Sequence, residues 1–247
     1  MSNSICQYEI WKNSEVAQTF LTGVRGAIPL ATEQINCLLR IISLTHPEVK
    51  NFLDLGCGNG ILGGAIHQQY PQARGVFLDF SDTMLQAAAN DLTWENCKFI
   101  QADFGQQQWV NFLSDEAPFD VIVSGFAIHH QTDERKREIY QEIYDLLTPG
   151  GWFLNLEHVA SKSELGKEIF NSLFVDSLYG FHLQKGTDKT REEIAQEYYN
   201  RDDKSANILA PVEVQCEWLQ ALGFVDVDCY FKLLEIALFG GRKVINN

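Results

Sequence analysis

The sequence of 247 residues lacks the features of membrane and secreted proteins. It has no apolar run long enough to span a bilayer, and residues 1–8 are polar, without the basic region and apolar stretch of a signal peptide. Its six cysteines form no CxxC pair, which argues against a zinc site and against a disulfide framework. We therefore expect a cytoplasmic protein with reduced thiols and no membrane partner.

Positive charge is also scarce. The chain has 19 Lys and Arg against 33 Asp and Glu, a formal net charge of -14. The densest basic run, Arg135-Lys136-Arg137, lies among acidic residues, which is typical of a solvated helix face rather than of a phosphate-binding track. This balance predicts no nucleic-acid partner and favours a small-molecule substrate.

The signature motifs of two hydrolase classes are missing. No GxSxG segment is present, so a Ser-His-Asp hydrolase is not supported. No HExxH or HxxE spacing is present either, and we predict no metal site.

Short apolar runs alternate with amphipathic stretches between residues 51 and 160. Helical spacing covers Ile61–Gln69, Thr83–Asn90 and Arg135–Leu147, and this alternation predicts a parallel sheet with helices packed on it. The five runs that we predict as strands are Asn51–Leu55, Gly75–Leu78, Cys97–Ala102, Phe119–Ser124 and Gly151–Val159. After Gly223, two further runs over 225–239 predict an antiparallel hairpin at a sheet edge.

We expect a single domain with four parts. Residues 1–50 read as a helical cap and residues 51–160 as the ligand-binding core. Residues 161–212 are polar with scattered aromatics and read as helices over the sheet, a lid or substrate insert. Residues 213–247 return to the core as a helix and the hairpin.

The strongest local signal is a glycine loop, in which an apolar strand enters Gly56-Cys57-Gly58-Asn59-Gly60 before a helix. Glycine allows positive φ and a close approach of ligand to backbone. A dinucleotide fingerprint needs glycine at the position of Ile61, and Asp54 would repel a pyrophosphate. Asp54 suits a ligand with an ammonium group and a sulfonium. A plain strand-to-helix turn is the alternative.

Acids follow the next two strands. Asp79 can accept hydrogen bonds from ribose hydroxyls, or it can cap a helix, a role open to Ser81 as well. Asp103 can accept from an adenine amino group while Phe104 packs on the ring, although a lone Asp after a strand is usually a turn residue. The series of loop, acid and acid at three consecutive strand ends makes a nucleoside site the stronger interpretation.

These segments resemble the class I S-adenosylmethionine-dependent methyltransferases. The resemblance lies in Asp54–Gly60, in Asp79-Phe80-Ser81 with Met84, in Ala102–Phe104, in Phe126–His130 and in Leu146–Gly151. It implies a Rossmann-like α/β fold with a seven-stranded, mostly parallel sheet, helices on both faces and an antiparallel C-terminal strand. It also implies S-adenosyl-L-methionine as cofactor and S-adenosyl-L-homocysteine as product.

The resemblance further assigns cofactor-binding roles. Asp54 and the glycines would hold the methionine end, Asp79 the ribose, and Asp103 with Phe104 the adenine, while Ser124 would lend backbone contacts. Arg25 resembles an arginine that pairs with the methionine carboxylate in some relatives. The cofactor-binding residues predicted in this way are Arg25, Asp54, Gly56, Gly58, Asp79, Phe80, Met84, Asp103, Phe104 and Ser124.

Three residues are candidates for catalysis. His129 and His130 follow the fourth strand, where a histidine could deprotonate the acceptor or merely hold a loop. Glu157 lies near the end of the fifth strand, where it could orient the acceptor or pair with a neighbouring base. Because strand side chains alternate, only one of Glu157 and His158 is expected to face the pocket.

The sequence thus predicts methyl transfer to an oxygen, nitrogen or carbon atom of a small molecule. Alignment and exclusion of water carry most of such catalysis, and a base is needed only for a protonated acceptor. The alternatives are a carboxy-S-adenosylmethionine-type enzyme, which needs an extra basic pocket, and a non-catalytic cofactor-binding module. A nicotinamide-dependent oxidoreductase is disfavoured by Ile61 and Asp54.

Overall fold

The fold is built around one seven-stranded sheet. The structure is a computed structural model that describes residues 7–17, 24–91 and 95–245. The strands are β1 (Asn51–Leu55), β2 (Arg74–Asp79), β3 (Cys97–Gln101), β4 (Phe119–Gly125), β5 (Leu147–His158), β6 (Phe224–Leu233) and β7 (Ile236–Lys243). Their order in the sheet is β3-β2-β1-β4-β5-β7-β6.

Strand direction follows the expected pattern. The pairs β1 with β2, β1 with β4, β2 with β3 and β4 with β5 are parallel. Strand β7 runs antiparallel to both of its neighbours, β5 and β6, and the β6–β7 hairpin occupies one edge of the sheet. The prediction of a mostly parallel seven-stranded sheet with an antiparallel C-terminal strand is confirmed.

Helices cover both faces of this sheet. They are α1 (Ala31–Thr45), α2 (Ile61–Gln69), α3 (Asp82–Asp91), α4 (Asp133–Leu146), α5 (Glu164–Gln184), α6 (Arg191–Tyr199) and α7 (Val212–Ala221). Side chains alternate across β1: Leu53 packs in the core that contains Ile139 of α4, while Phe52 packs in the core that contains Leu38 of α1. The two faces of β1 therefore pack against different helices.

Strand β5 differs from its prediction. It begins at Leu147 instead of Gly151, so the assignment of Leu147 to the preceding helix was wrong. Leu147 pairs with Phe119 of β4, and the Thr148 hydroxyl donates to the Phe119 carbonyl oxygen at 3.2 Å. Cross-strand pairing therefore outweighs the local helical pattern at this position.

The proposed four-part division stays a prediction, and residues 1–6 and 18–23 of the cap lie outside the described part. Helices α5 and α6 do fall within 161–212, and they share a small apolar cluster around Val175, Leu178 and Ile194. None of the helices that the structure describes has the length and apolarity that crossing a bilayer would require.

Gly240 tests the packing of the hairpin against the sheet, and Gly180 provides the control. A Cβ on Gly240 of β7 would lie 2.0 Å from the Phe153 carbonyl oxygen, whereas a Cβ on Gly180 of α5 would meet nothing within 4 Å. We expect Gly240→Ala to lower the free energy of unfolding by about 1–3 kcal/mol through overpacking. Gly180→Ala, the control, should raise it by about 0.5–1 kcal/mol. Urea denaturation measures both, and a neutral Gly240→Ala would contradict the packing.

Candidate functional site

The glycine loop after β1 lies directly beneath the segment that follows β4. Gly56 and Gly58 have φ values of 66° and 55°, in the left-handed region that favours glycine. A Cβ on Gly56 would lie 2.5 Å from the Cβ of Ala127. The Gly56 amide donates to the Leu78 carbonyl oxygen at 2.7 Å, which ties the loop to the end of β2. The loop is thus fixed, and at Gly56 and Gly58 it presents backbone without side chains to the groove beside it.

Asp79 organises the edge of this loop. Its two carboxylate oxygens accept from the Gly58 amide and from the Ser81 amide, each at 2.9 Å. Burial raises the pKa of Asp79 to about 6, against the opposing effect of these backbone donors. Asp79 also lines the groove beside the loop. Its carboxylate is therefore held in place at the wall of the groove.

The groove next to Asp79 gathers most of the predicted cofactor residues. It has about 70 Å³ of free volume and shares part of its wall with a larger neighbouring cavity. The hydroxyl of Ser81, also in this groove, is buried with no hydrogen-bond partner among the described residues. The predicted residues that line the groove are Gly56, Gly58, Asp79, Phe80, Met84, Asp103 and Phe104.

Of the predicted cofactor residues whose side chains the structure describes, two do not line the groove. Asp54 is buried and accepts from the Gly63 amide at 2.8 Å, so it anchors the first turn of α2. Ser124 is buried and donates to the Leu55 carbonyl oxygen at 2.8 Å, joining β4 to β1. The Arg25 backbone lies in a short 3-10 helix, Val24–Ala27, and its side chain lies outside the described residues.

A second, larger cavity of about 410 Å³ adjoins the groove. Trp11, Phe126 and His130 line both spaces, and the Trp11 ring lies 5.4 Å from that of His130. Phe126 has a φ of 52°, an unusual backbone conformation for a bulky residue. The main aromatic side chains in the wall of the larger cavity are Phe170, Phe174 and Tyr198. An acceptor bound there would lie beside a nucleoside in the groove.

His129 and Glu157 form a buried pair at this cavity. The Nδ1 atom of His129 lies 2.5 Å from Oε1 of Glu157, and Oε2 of Glu157 accepts from the His129 amide at 3.0 Å. With Glu157 ionised, its carboxylate only accepts, so Nδ1 carries the proton and Nε2 keeps a lone pair. The Asn207 side chain is a further hydrogen-bond partner of the His129 side chain. Burial lowers the pKa of His129 well below its usual range, and this keeps the ring neutral. His129 lines the cavity, whereas Glu157 lies behind it.

His130 is held differently. Its Nδ1 atom lies 3.2 Å from the Ala206 carbonyl oxygen, and burial lowers its pKa well below the usual range. It lines both the groove and the larger cavity. The two neighbouring histidines therefore both reach the candidate site, but only His129 is paired with a carboxylate.

His158 was missed as a site residue. It lines the larger cavity, and its Nε2 atom lies 3.0 Å from Oε2 of the buried Glu235. Strand alternation indicated that only one of Glu157 and His158 would face the pocket, but it could not identify His158 as the one. Glu235, 77 positions away, gave no local signal of this pairing.

The basic run at the start of α4 does not form the solvated face that we expected. Arg135 is buried and pairs with Glu142 at 2.8 Å and with Glu138 at 2.9 Å. Lys136 is buried and pairs with Asp133 at 2.8 Å. Two of the three basic side chains are thus buried and paired with acids of the same helix.

Among the described residues, no group of three His, Cys, Asp or Glu side chains is placed to hold a metal ion.

Comparison with known proteins places this arrangement in context. Residues 52–151 match the family model described as a methyltransferase domain. A carboxy-S-adenosyl-L-methionine synthase from Staphylococcus epidermidis is 26% identical over 90% of this chain and 91% of its own length. A ribosomal RNA large subunit methyltransferase G from Shewanella amazonensis is 24% identical over 60% of this chain and 39% of its own.

The fold also has solved relatives. Human N-acetylserotonin methyltransferase in complex with SAM superposes with a TM-score of 0.62 at 16% identity, over 99% of this chain. This chain covers only 60% of that protein, less than two thirds of its length. This similarity shows that the two proteins share a fold.

The predicted resemblance to class I methyltransferases is confirmed. The prediction of no nucleic-acid partner is not confirmed, since one relative is named for ribosomal RNA.

Asp79→Ala tests the ribose-binding role proposed for that carboxylate. We expect S-adenosylhomocysteine to bind more weakly by about 1–3 kcal/mol, the range for lost charge-assisted hydrogen bonds. Asp91→Ala, an exposed acid at the end of α3, should leave affinity unchanged. Isothermal titration calorimetry measures both, and equal affinities for the two variants would refute the role of Asp79.

Proposed function

Since the chain carries an S-adenosylmethionine-dependent methyltransferase domain of class I, we propose that it methylates a hydroxyl group of a small molecule, with His129 as general base. One observation carries the proposal. A neutral histidine, oriented by a buried carboxylate, lines a cavity that adjoins the candidate cofactor groove. That is where a hydroxyl must lie to lose its proton during transfer.

The residues of the groove fit the cofactor. We propose that Asp79 accepts from the ribose hydroxyls, that Asp103 and Phe104 frame the adenine, and that the unpartnered Ser81 hydroxyl supplies a further hydrogen bond. Asp54 and Ser124 act indirectly, by fixing the loop and the strands beneath it. When bound, S-adenosylmethionine supplies an electrophilic methyl group whose leaving group is a neutral thioether.

The acid–base work falls to the His129–Glu157 pair. His129 takes the hydroxyl proton on Nε2 while the oxygen forms its new bond to carbon. The imidazolium that results is stabilised by the Glu157 carboxylate at Nδ1, 2.5 Å away. The aromatic side chains of the cavity wall, with Trp11, give the reacting groups an apolar surrounding that favours the exclusion of water. Glu157 is thus a positioning residue, and His129 is the base.

A small acceptor is favoured over RNA. The cavity of about 410 Å³ has the size of a small-molecule pocket. The net charge of -14 opposes a polyanion, and Arg135 and Lys136 are already paired with acids of α4.

Formation of a carboxylated cofactor is the second candidate. A relative with that name aligns over nine tenths of the chain, and Arg201 lines the larger cavity, where it could meet an acid. Arg201 is already paired, with its Nε 3.4 Å from Oδ2 of Asp203. Mass spectrometry of the cofactor after incubation with a metabolite extract separates the two activities, because one gives S-adenosylhomocysteine and the other a carboxylated cofactor.

His129→Ala and Glu157→Gln test the proposed base. With a labelled methyl donor and a metabolite extract as acceptor source, we expect His129→Ala to slow transfer about 10²–10⁴-fold, the range for general-base catalysis. Glu157→Gln should slow it to a lesser extent, because the ring keeps its place but loses the carboxylate. His182→Ala, on α5 and outside the cavity lining, is the control. Unchanged transfer by His129→Ala would exclude it as the base.

The pH dependence of kcat offers a separate test. The base works only when neutral, so activity is present above the pKa of His129 and is lost as pH falls through it. Because burial lowers that pKa below the usual value of about 6.5, we expect kcat to stay constant from pH 8 to below pH 6.5. The measurement uses saturating cofactor, since protonation of Asp79 near pH 6 weakens binding. An acidic limb centred above pH 6.5 would contradict a buried neutral base.

A further inference from the structure

We propose that His158, held by Glu235, is a second acceptor-binding residue, and that the acceptor therefore carries a second hydroxyl adjacent to the one that is methylated. This inference rests on the proposed function. It assigns a specificity-determining residue and a substrate class, vicinal dihydroxy compounds.

The two His–Glu pairs have the same construction. In each, a histidine in the cavity wall is bonded through one ring nitrogen to a buried glutamate: His129 to Glu157 at 2.5 Å and His158 to Glu235 at 3.0 Å. The Glu157 and Glu235 side chains are only 1% and 6% exposed. Burying a carboxylate is costly unless it is paired, so each pair fixes its ring firmly.

Hydrogen-bonding chemistry leaves one nitrogen of His158 for a ligand. Since the Glu235 carboxylate only accepts, Nε2 of His158 carries the donated proton, and Nδ1 remains. Among the described residues, no hydrogen bond to this Nδ1 is found. Burial raises the pKa of Glu235, but the hydrogen bonds from His158 and Ser161 outweigh it and lower that pKa, so Glu235 keeps its charge. An acceptor hydroxyl can donate to Nδ1.

The spacing suits two oxygens of one molecule. The ring centroids of His129 and His158 lie 5.7 Å apart at an interplanar angle of 69°. Both rings line one cavity, and hydrogen bonds of about 3 Å at each ring can converge on two oxygens that are closer together than the ring centroids. The Phe170 ring lies 5.3 Å from that of His158 and 5.7 Å from that of Phe174, which gives the acceptor an aromatic wall.

Other polar groups of the cavity are less available. Arg201 is paired with Asp203 and stacks on Tyr198, and His130 is bonded to the Ala206 carbonyl oxygen. Glu15 and Asp202 are exposed to solvent, and Asn207, which also lines the cavity, hydrogen-bonds to the His129 side chain. His158 is therefore a cavity group with a ring nitrogen left to bind a second oxygen.

The test compares three aromatic probes: catechol, with adjacent hydroxyls, hydroquinone, with the same two hydroxyls far apart, and phenol. Binding is measured by calorimetry on the whole protein with and without S-adenosylhomocysteine. We expect catechol to bind at least about tenfold more tightly than phenol, with hydroquinone close to phenol. Equal affinity for catechol and phenol, including no detectable binding of either, would overturn the inference.

Variants separate ligand binding from a structural role. His158→Phe should abolish the preference for catechol while the Kd for phenol stays within about twofold. Because this change removes the His158 partner of the buried Glu235, a second variant adds Glu235→Gln, and the same loss of preference is expected. His182→Phe, the control, should keep the preference. A variant that weakens catechol and phenol alike would show that the pair only supports the fold or contacts a single oxygen.

The failure of this inference is distinguishable from that of the proposed function. If methyl transfer depends on His129 but catechol binds no better than phenol, only the role of His158 falls. If His129→Ala leaves transfer unchanged while the preference for catechol persists and depends on His158, the role of His129 as base falls instead.

Discussion

The site depends on a single buried carboxylate, that of Glu157. Its oxygens accept from the His129 amide, the His129 ring and the His158 amide, at 3.0, 2.5 and 2.9 Å. Burial raises the pKa of Glu157, and its backbone donors act in the opposite direction. Because a carboxylate can only accept, this one group sets both the ring orientation and the tautomer of His129. It also connects the end of β5 to the turn that follows β4.

Carboxylates that accept hydrogen bonds from backbone amides also occur in other strands of the sheet. Asp54 in β1 accepts from the Gly63 amide, and Asp79 at the end of β2 accepts from the Gly58 and Ser81 amides. Each strand-end carboxylate thus satisfies amides of a nearby loop or helix start that would otherwise be unpaired in a buried place. The acidic residues that the sequence predicts as ligand contacts therefore hold the backbone of nearby loops and helix starts in place. Of these three, only Asp79 also lines a space for ligand.

Periodicity and glycine spacing were enough to predict the sheet and the position of the groove, because both are written in residues close together along the chain. The partners of His129 and His158 could not be predicted in this way. Glu157 is 28 positions from His129, and Glu235 is 77 positions from His158. Trp11 reaches both spaces from the far N-terminal end. Such contacts depend on how elements that are distant in sequence pack together. Local sequence patterns carry no information on that packing.

Phe126 shows how the two halves of the site are joined. Its left-handed conformation costs a non-glycine residue about 1–2 kcal/mol, and the Phe126 amide compensates by donating to the Leu156 carbonyl oxygen at 2.8 Å. The turn sets Ala127 over Gly56, where only glycine leaves room, and carries His129 to Glu157. The turn therefore lies between the groove and the larger cavity, and Phe126 lines both. The proposed in-line transfer requires that these two spaces lie side by side.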